Sequence, residues 1–225
     1  MKYYVYSSLF NTICSLICCV FVYLSQNKSK SSKYFFLFAL SVALWSTSYF
    51  IWLKSPNKEF ALFYIRLLNL FALFIPVTFF HFCCHLLNKY NKLKKILIAF
   101  YLLDLLILPF TFSPLYIKGV APIDVFSFWP KPGPIYILLP LEYLALISIS
   151  LTELYKKLSS ANNLNEKRML QFVFYGLVLG FLGGATNFLF TYHILLPPIG
   201  NVLVSFYTFG ITYAIFKYQF MNITA

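Results

Sequence analysis

Three ionisable side chains stand inside otherwise apolar stretches of this 225-residue chain and are the first candidates for chemistry. Arg66 lies near the start of a stretch running from 60 to 87, Asp104 midway along one from 96 to 112, and Glu142 near the start of one from 135 to 155. If those stretches cross a membrane as helices, Arg66 and Glu142 share one depth, about six or seven residues or ~9–10 Å from the same surface. A guanidinium and a carboxylate at equal depth can pair, either lining a ligand cavity or locking two helices, because a lone charge there is costly. Arg66 has the alternative of snorkelling to the outer headgroups. Asp104, near the centre of the slab, must face the bundle interior, as a proton- or ligand-coupled site or as an acid bonding a neighbouring helix. Arg66, Asp104 and Glu142 are therefore the speculative ligand-binding set.

Two further constellations carry less chemistry. His81 and His85, with Cys84 beside them in the run HFCCH, sit at i and i+4 on one helix face. That spacing can hold a metal only with a further ligand from elsewhere, and no HExxH glutamate is present, so bonding to headgroups or backbone is the simpler reading. Cys14, Cys18, Cys19, Cys83 and Cys84 all fall in apolar runs and read as small hydrophobes without a disulfide framework. Gly176, Gly180, Gly183 and Gly184 contain two overlapping GxxxG spacings. In lipid such spacing lets helices approach closely, here within the bundle or between the protomers of a homodimer. No strand precedes these glycines and no Lys-Ser or Lys-Thr follows, so they are not a phosphate loop, and no cofactor is implied.

The elements that must position these residues are set by composition. Hydrophobic residues make up 60% of the chain and charged ones 11%, against ~45–50% and ~25% in soluble domains. This is the signature of an integral membrane protein. The net charge of +12 does not indicate nucleic acid, because the basic residues lie in short blocks between apolar runs instead of on one face. Seven runs are long enough to span: 4–24, 34–53, 60–87, 96–112, 135–155, 169–192 and 195–217. The first is too long, and ends too abruptly in polar and basic residues, for a cleaved signal. The stretch 113–134, with five prolines, reads as irregular backbone outside the bilayer. The expected architecture is a single all-α domain over 1–225, a seven-transmembrane helix bundle.

Orientation follows from the loops. Twelve Lys and Arg residues flank one side and five the other, with Arg66 inside the membrane. The positive-inside rule then places the amino terminus outside and the carboxyl terminus in the cytoplasm of a multi-pass protein of the cell (inner or plasma) membrane. The last span starts at Pro197 and Pro198, where missing amide donors cost little, and is uncharged from 200 to 216. Tyr213, Lys217 and Tyr218 form its inner anchor, and Met221 and Asn222 emerge beyond it, so this helix and its exit are the expected output.

The closing segment, LPPIGNVLVSFYTFGITYAIFKYQFMNI, resembles the end of the amino-terminal seven-transmembrane sensory region found ahead of bacterial histidine kinases and diguanylate cyclases. It shares a proline-glycine start, an apolar helix ending in Tyr-Ala-Ile and a basic-aromatic-Met-Asx-Ile exit. Asn222 stands where an acid is usual, and 217–219 read Lys-Tyr-Gln where arginines are common. ALW at 43–45, YIRLLNL at 64–70 and IPVTFFHF at 75–82 are similar as well. The resemblance implies a sensor of a two-component system, not itself an enzyme, whose last helix passes a stimulus to a cytoplasmic kinase or cyclase in cis or in trans. No kinase phosphoacceptor helix, ATP lid or cyclase signature is present in these 225 residues. The alternative from the residues alone is a small transporter or channel using Asp104, Glu142 and Arg66.

Overall fold

A computed structural model describes residues 1–24, 29–194, 197–214 and 217. Among these, seven α-helices run in the order α1 (Lys2–Leu24), α2 (Lys30–Leu53), α3 (Lys58–Leu86), α4 (Tyr90–Ile107), α5 (Leu138–Ser159), α6 (Leu164–Thr191) and α7 (Leu203–Ala214). Five of them, α1, α2, α3, α5 and α6, are long and apolar enough to cross a bilayer. Helix α4 carries Lys92, Lys94, Lys95 and Asp104 within its 18 residues, and α7 is described for 12 residues, so those two fall outside that measure. The outward faces are apolar: Phe10, Ile13 and Ile17 on α1, Leu102 and Leu106 on α4, and Leu179 and Leu182 on α6 are exposed. Ser8, Asn11, Ser15, Asn69 and Thr208 are buried. An apolar exterior around a partly polar interior suits lipid as the solvent, where every polar group must find its partner inside.

Six helices close into a ring, α1 on α2, α2 on α3, α3 on α5, α5 on α6, α6 on α7, and α7 back on α1. The tightest pairing, α2 with α3, is built from Phe35, Phe38, Phe79 and Phe82, whose rings sit 5.1–5.9 Å apart. Helix α4 stands outside the ring. It buries only Leu93, Leu97, Asp104 and Ile107 and shares a small core with Val77 and Phe80 of α3 and Leu146 of α5.

Helix α3 runs unbroken through Pro76. Proline supplies no amide hydrogen to the carbonyl four residues earlier, that of Ala72. Tyr143 of α5 takes up the vacant acceptor, its hydroxyl donating to the Ala72 oxygen at 3.0 Å. Helix starts follow polar caps more than apolar runs. Asn57 accepts from the Phe60 amide at 2.9 Å and starts α3 at Lys58; Asn163 accepts from the Asn165 and Glu166 amides and starts α6 five residues before its apolar run. The basic residues ahead of the fourth run are already helical, so α4 begins at Tyr90. It gives way at Leu108–Phe110 to a 3-10 turn containing Pro109 and does not continue to 112.

The segment 113–134 corrects the expectation of irregular backbone and adds one hairpin to an otherwise helical fold. Strands β1 (Ile117–Ile123) and β2 (Phe126–Pro132) form an antiparallel hairpin. Prolines disfavour strands because they cannot donate to the ladder, but in a two-stranded ribbon each strand keeps an open edge, so Pro122, Pro130 and Pro132 are accommodated. Asp124 closes the turn with φ 47°, a conformation Asp tolerates better than most residues. The hairpin is bonded to the helix ends beneath it: Trp52 Nε1 donates to the Phe128 oxygen at 2.9 Å and Trp129 Nε1 to Thr191 Oγ1 at 3.1 Å. The last helix differs as well. A 3-10 turn, Ile199–Val202, follows Pro197 and Pro198, and α7 proper starts at Leu203, whereas Leu195 and Leu196 lie outside the described residues.

Candidate functional site

The ring borders a small, partly open cavity under the hairpin. Helix α2 contributes Trp45, Tyr49 and Trp52, spaced so that one face points inward, and α3 contributes Asn69 and Ala72. Trp129 and Pro130 of β2 form the roof, Tyr143 comes from α5, Gly184 and Asn187 from α6, and Val204 from α7. The pocket reaches from Trp52 down to Val42, ten residues or ~15 Å along α2. Its polar groups are largely engaged with one another. Tyr49 Oη donates to Asn187 Oδ1 at 3.1 Å, Asn187 Nδ2 to the Gly184 oxygen at 3.1 Å, and Asn69 Nδ2 to the Ile65 oxygen at 2.8 Å. Among the described residues, no charged side chain lines it.

The speculative ligand set lies elsewhere. Arg66 donates from Nη2 to the Ile117 oxygen of β1 at 3.1 Å, tying α3 to the hairpin, and no ion pair to Glu142 occurs among the described residues. Glu142 instead interacts with Asp104, bringing an acid of α5 and an acid of α4 together; they are 2% and 0% exposed, and neither carboxyl has a conventional hydrogen-bond partner among the described residues. Tyr116, in the connection above, is fully buried with its hydroxyl unpartnered; burial pushes its phenol far up, reinforced by Tyr136, Glu142 and Asp104. None of Arg66, Asp104 and Glu142 lines the cavity.

At the other end of the bundle, His81 and His85 do not converge on a point. They are stacked rings, 5.2 Å apart, between Tyr34 and Tyr90, and His81 Nδ1 lies 3.0 Å from Tyr101 Oη. No group of three or more metal-ligating side chains occurs among the described residues. Glu153 gathers Lys89 and Lys156 around its carboxylate, and Lys157 pairs with Glu166 at 2.8 Å, stapling the loops on this side.

Helix α7 is held on two sides. Toward α6, an ideal Cβ on Gly183 would meet the Gly200 oxygen at 2.2 Å, so the backbones touch there. Gly184 faces open space and Gly180 lines the cavity, so the glycine-rich stretch both joins helices and leaves room. Gly176 is half-buried. Toward α1, Asn11 Nδ2 donates to the Asn201 oxygen at 2.8 Å and Ser205 Oγ donates to Asn11 Oδ1. Asn201, Ser205, Thr208 and Thr212 recur at helical spacing and are all buried, as are Asn11, Ser15 and Cys18 opposite. Lys217 Nζ donates to Tyr213 Oη at 2.5 Å, while Tyr218, Met221 and Asn222 lie outside the described residues.

Reasoning from charges passed over these groups because they are neutral. Amides inside apolar runs, Asn11, Asn69, Asn187 and Asn201, were the available signal, together with the placing of Trp45, Trp52 and Trp129. No curated protein matches the chain. The family model for the N-terminal 7TM region of histidine kinase matches residues 8–224, reaching every helix described above. The chain belongs to the family of N-terminal seven-transmembrane regions of histidine kinases.

Proposed function

We propose that the chain is a membrane sensory module with seven spans, its amino terminus outside, that passes a stimulus through α7 to a cytoplasmic output. The output is a histidine kinase, as the family implies, or a diguanylate cyclase, as the sequence resemblance extends it, in cis or in trans. The module performs no catalysis and acts in the plasma membrane. The observation that carries this reading is the position of α7: Val204 walls the cavity while the same helix is gripped by α1 and α6. A stimulus can move α7 only by favouring one packing of it over another, and a cavity bordered by the output helix supplies such differential contact. The transport alternative draws support only from the buried pair Asp104 and Glu142, and the cavity includes neither.

The test is the full chain fused in frame to a histidine kinase core and reconstituted in nanodiscs. Asn11→Leu removes the clasp on Asn201 and Ser205, and autophosphorylation is expected to shift by about fivefold, a coupling of about 1 kcal/mol. Unchanged phosphorylation in Asn11→Leu and in Ser205→Ala, at normal folding, counts against α7 as the output. Solute flux through proteoliposomes that is lost in Asp104→Asn favours transport.

A further inference from the structure

We propose that the cavity under the hairpin is the binding site for a small, neutral, largely apolar molecule carrying a single aromatic ring. The lining decides the class. A charged ligand entering here would leave water without meeting any opposite charge, a cost that a wall of Trp, Tyr, Phe and aliphatic side chains does not offset. Ring faces are what the wall offers: Trp45, Tyr49, Trp52 and Trp129 border one space, and aromatic rings pack on one another edge-to-face or offset. Asn69 and Asn187 supply amides for a single polar handle on the ligand.

Two details separate this space from a packing defect. Gly184, at the wall, has nothing within 4 Å of an ideal Cβ, so the helix leaves room where any other residue would fill it. The hydrogen bonds between Tyr49 and Asn187 and between Trp129 and Thr191 fix the wall and roof before anything binds. The site stands on this geometry alone; that its occupancy alters output rests on the sensory reading above.

All three tryptophans of the protein line the cavity, so intrinsic fluorescence reports on it directly. The full chain in nanodiscs at neutral pH is titrated with 4-bromophenol, a neutral heavy-atom quencher, and with 4-bromobenzoate, its charged counterpart. Saturable quenching by the neutral probe is expected, reversed by excess phenol. Gly184→Leu, which fills the space, is expected to weaken the neutral probe about tenfold or more, and the carboxylate to bind at least as weakly. The reversal in the unaltered protein needs no variant and guards against misfolding of Gly184→Leu. Quenching that never saturates and is equal in both proteins means partition into lipid only and overturns the proposal, as does equal affinity for the carboxylate. Saturable binding that leaves a fused kinase unchanged keeps the site and removes the sensory coupling.

Discussion

Tyr143 and Pro76 illustrate how single residues set the limits of this bundle. Proline deprives the Ala72 carbonyl of its helical partner, and a hydroxyl from another helix replaces it, so α3 crosses the interior with that acceptor satisfied. Tyr143→Phe keeps the ring and removes the hydrogen bond, and is expected to cost about 1 kcal/mol, or about 2–4 °C in the thermal midpoint in nanodiscs. An unchanged midpoint would mean that water or a shifted α3 satisfies Ala72. At this scale the sequence was partly legible. Pro76 inside an apolar run was visible, but its compensating partner lies 67 residues away and only the folded chain identifies it. Arg66, Asp104 and Glu142 were conspicuous as charges, and equal depth allowed Arg66 and Glu142 to pair, a pairing absent among the described residues. Depth along two helices does not fix the angle about their axes. Arg66 meets the hairpin and Glu142 meets Asp104.

At the scale of elements, α6 shows two kinds of glycine side by side. Gly183 is pressed against Gly200, and Gly184 faces open space. Gly183→Ala forces α7 away and is expected to cost about 1–3 kcal/mol, whereas Gly184→Ala leaves stability nearly unchanged, as thermal unfolding of the two variants side by side would show. Equal losses would place both glycines in the same contact. The GxxxG spacings run through Gly176, Gly180 and Gly184, whereas the close approach is made by Gly183, which belongs to neither, because the angle of α6 toward its neighbour is not fixed by the small-residue spacing. Helices were legible as apolar runs, and their starts shifted wherever a cap or a basic turn extended the helix beyond the oily part. The hairpin was hidden by its own prolines, which argue against a strand in a wide sheet and not in a two-stranded one.

For the whole molecule, the ring closes because α7 returns to α1, and the charge bias in the loops sets the expected sidedness. Reporters fused at the two ends are expected to be active in opposite compartments, the amino-terminal one outside and the carboxyl-terminal one in the cytoplasm; activity in one shared compartment would remove the seven-span reading. The overall class was readable because bilayer thickness writes itself into run length, while the closure of the ring was not, since it depends on neutral amides and hydroxyls whose partners are nearly the full chain apart. That closure bears on how the protein is made. The first helix leaves the ribosome with Asn11 on its surface, and its partners Asn201 and Ser205 follow almost two hundred residues later. Throughout synthesis of the intervening helices this amide has only temporary company in the lipid, so the opening helix remains unmatched until the closing one arrives. A nascent chain halted before Asn201 therefore leaves the Asn11 amide without either of the groups that bond it in the closed ring.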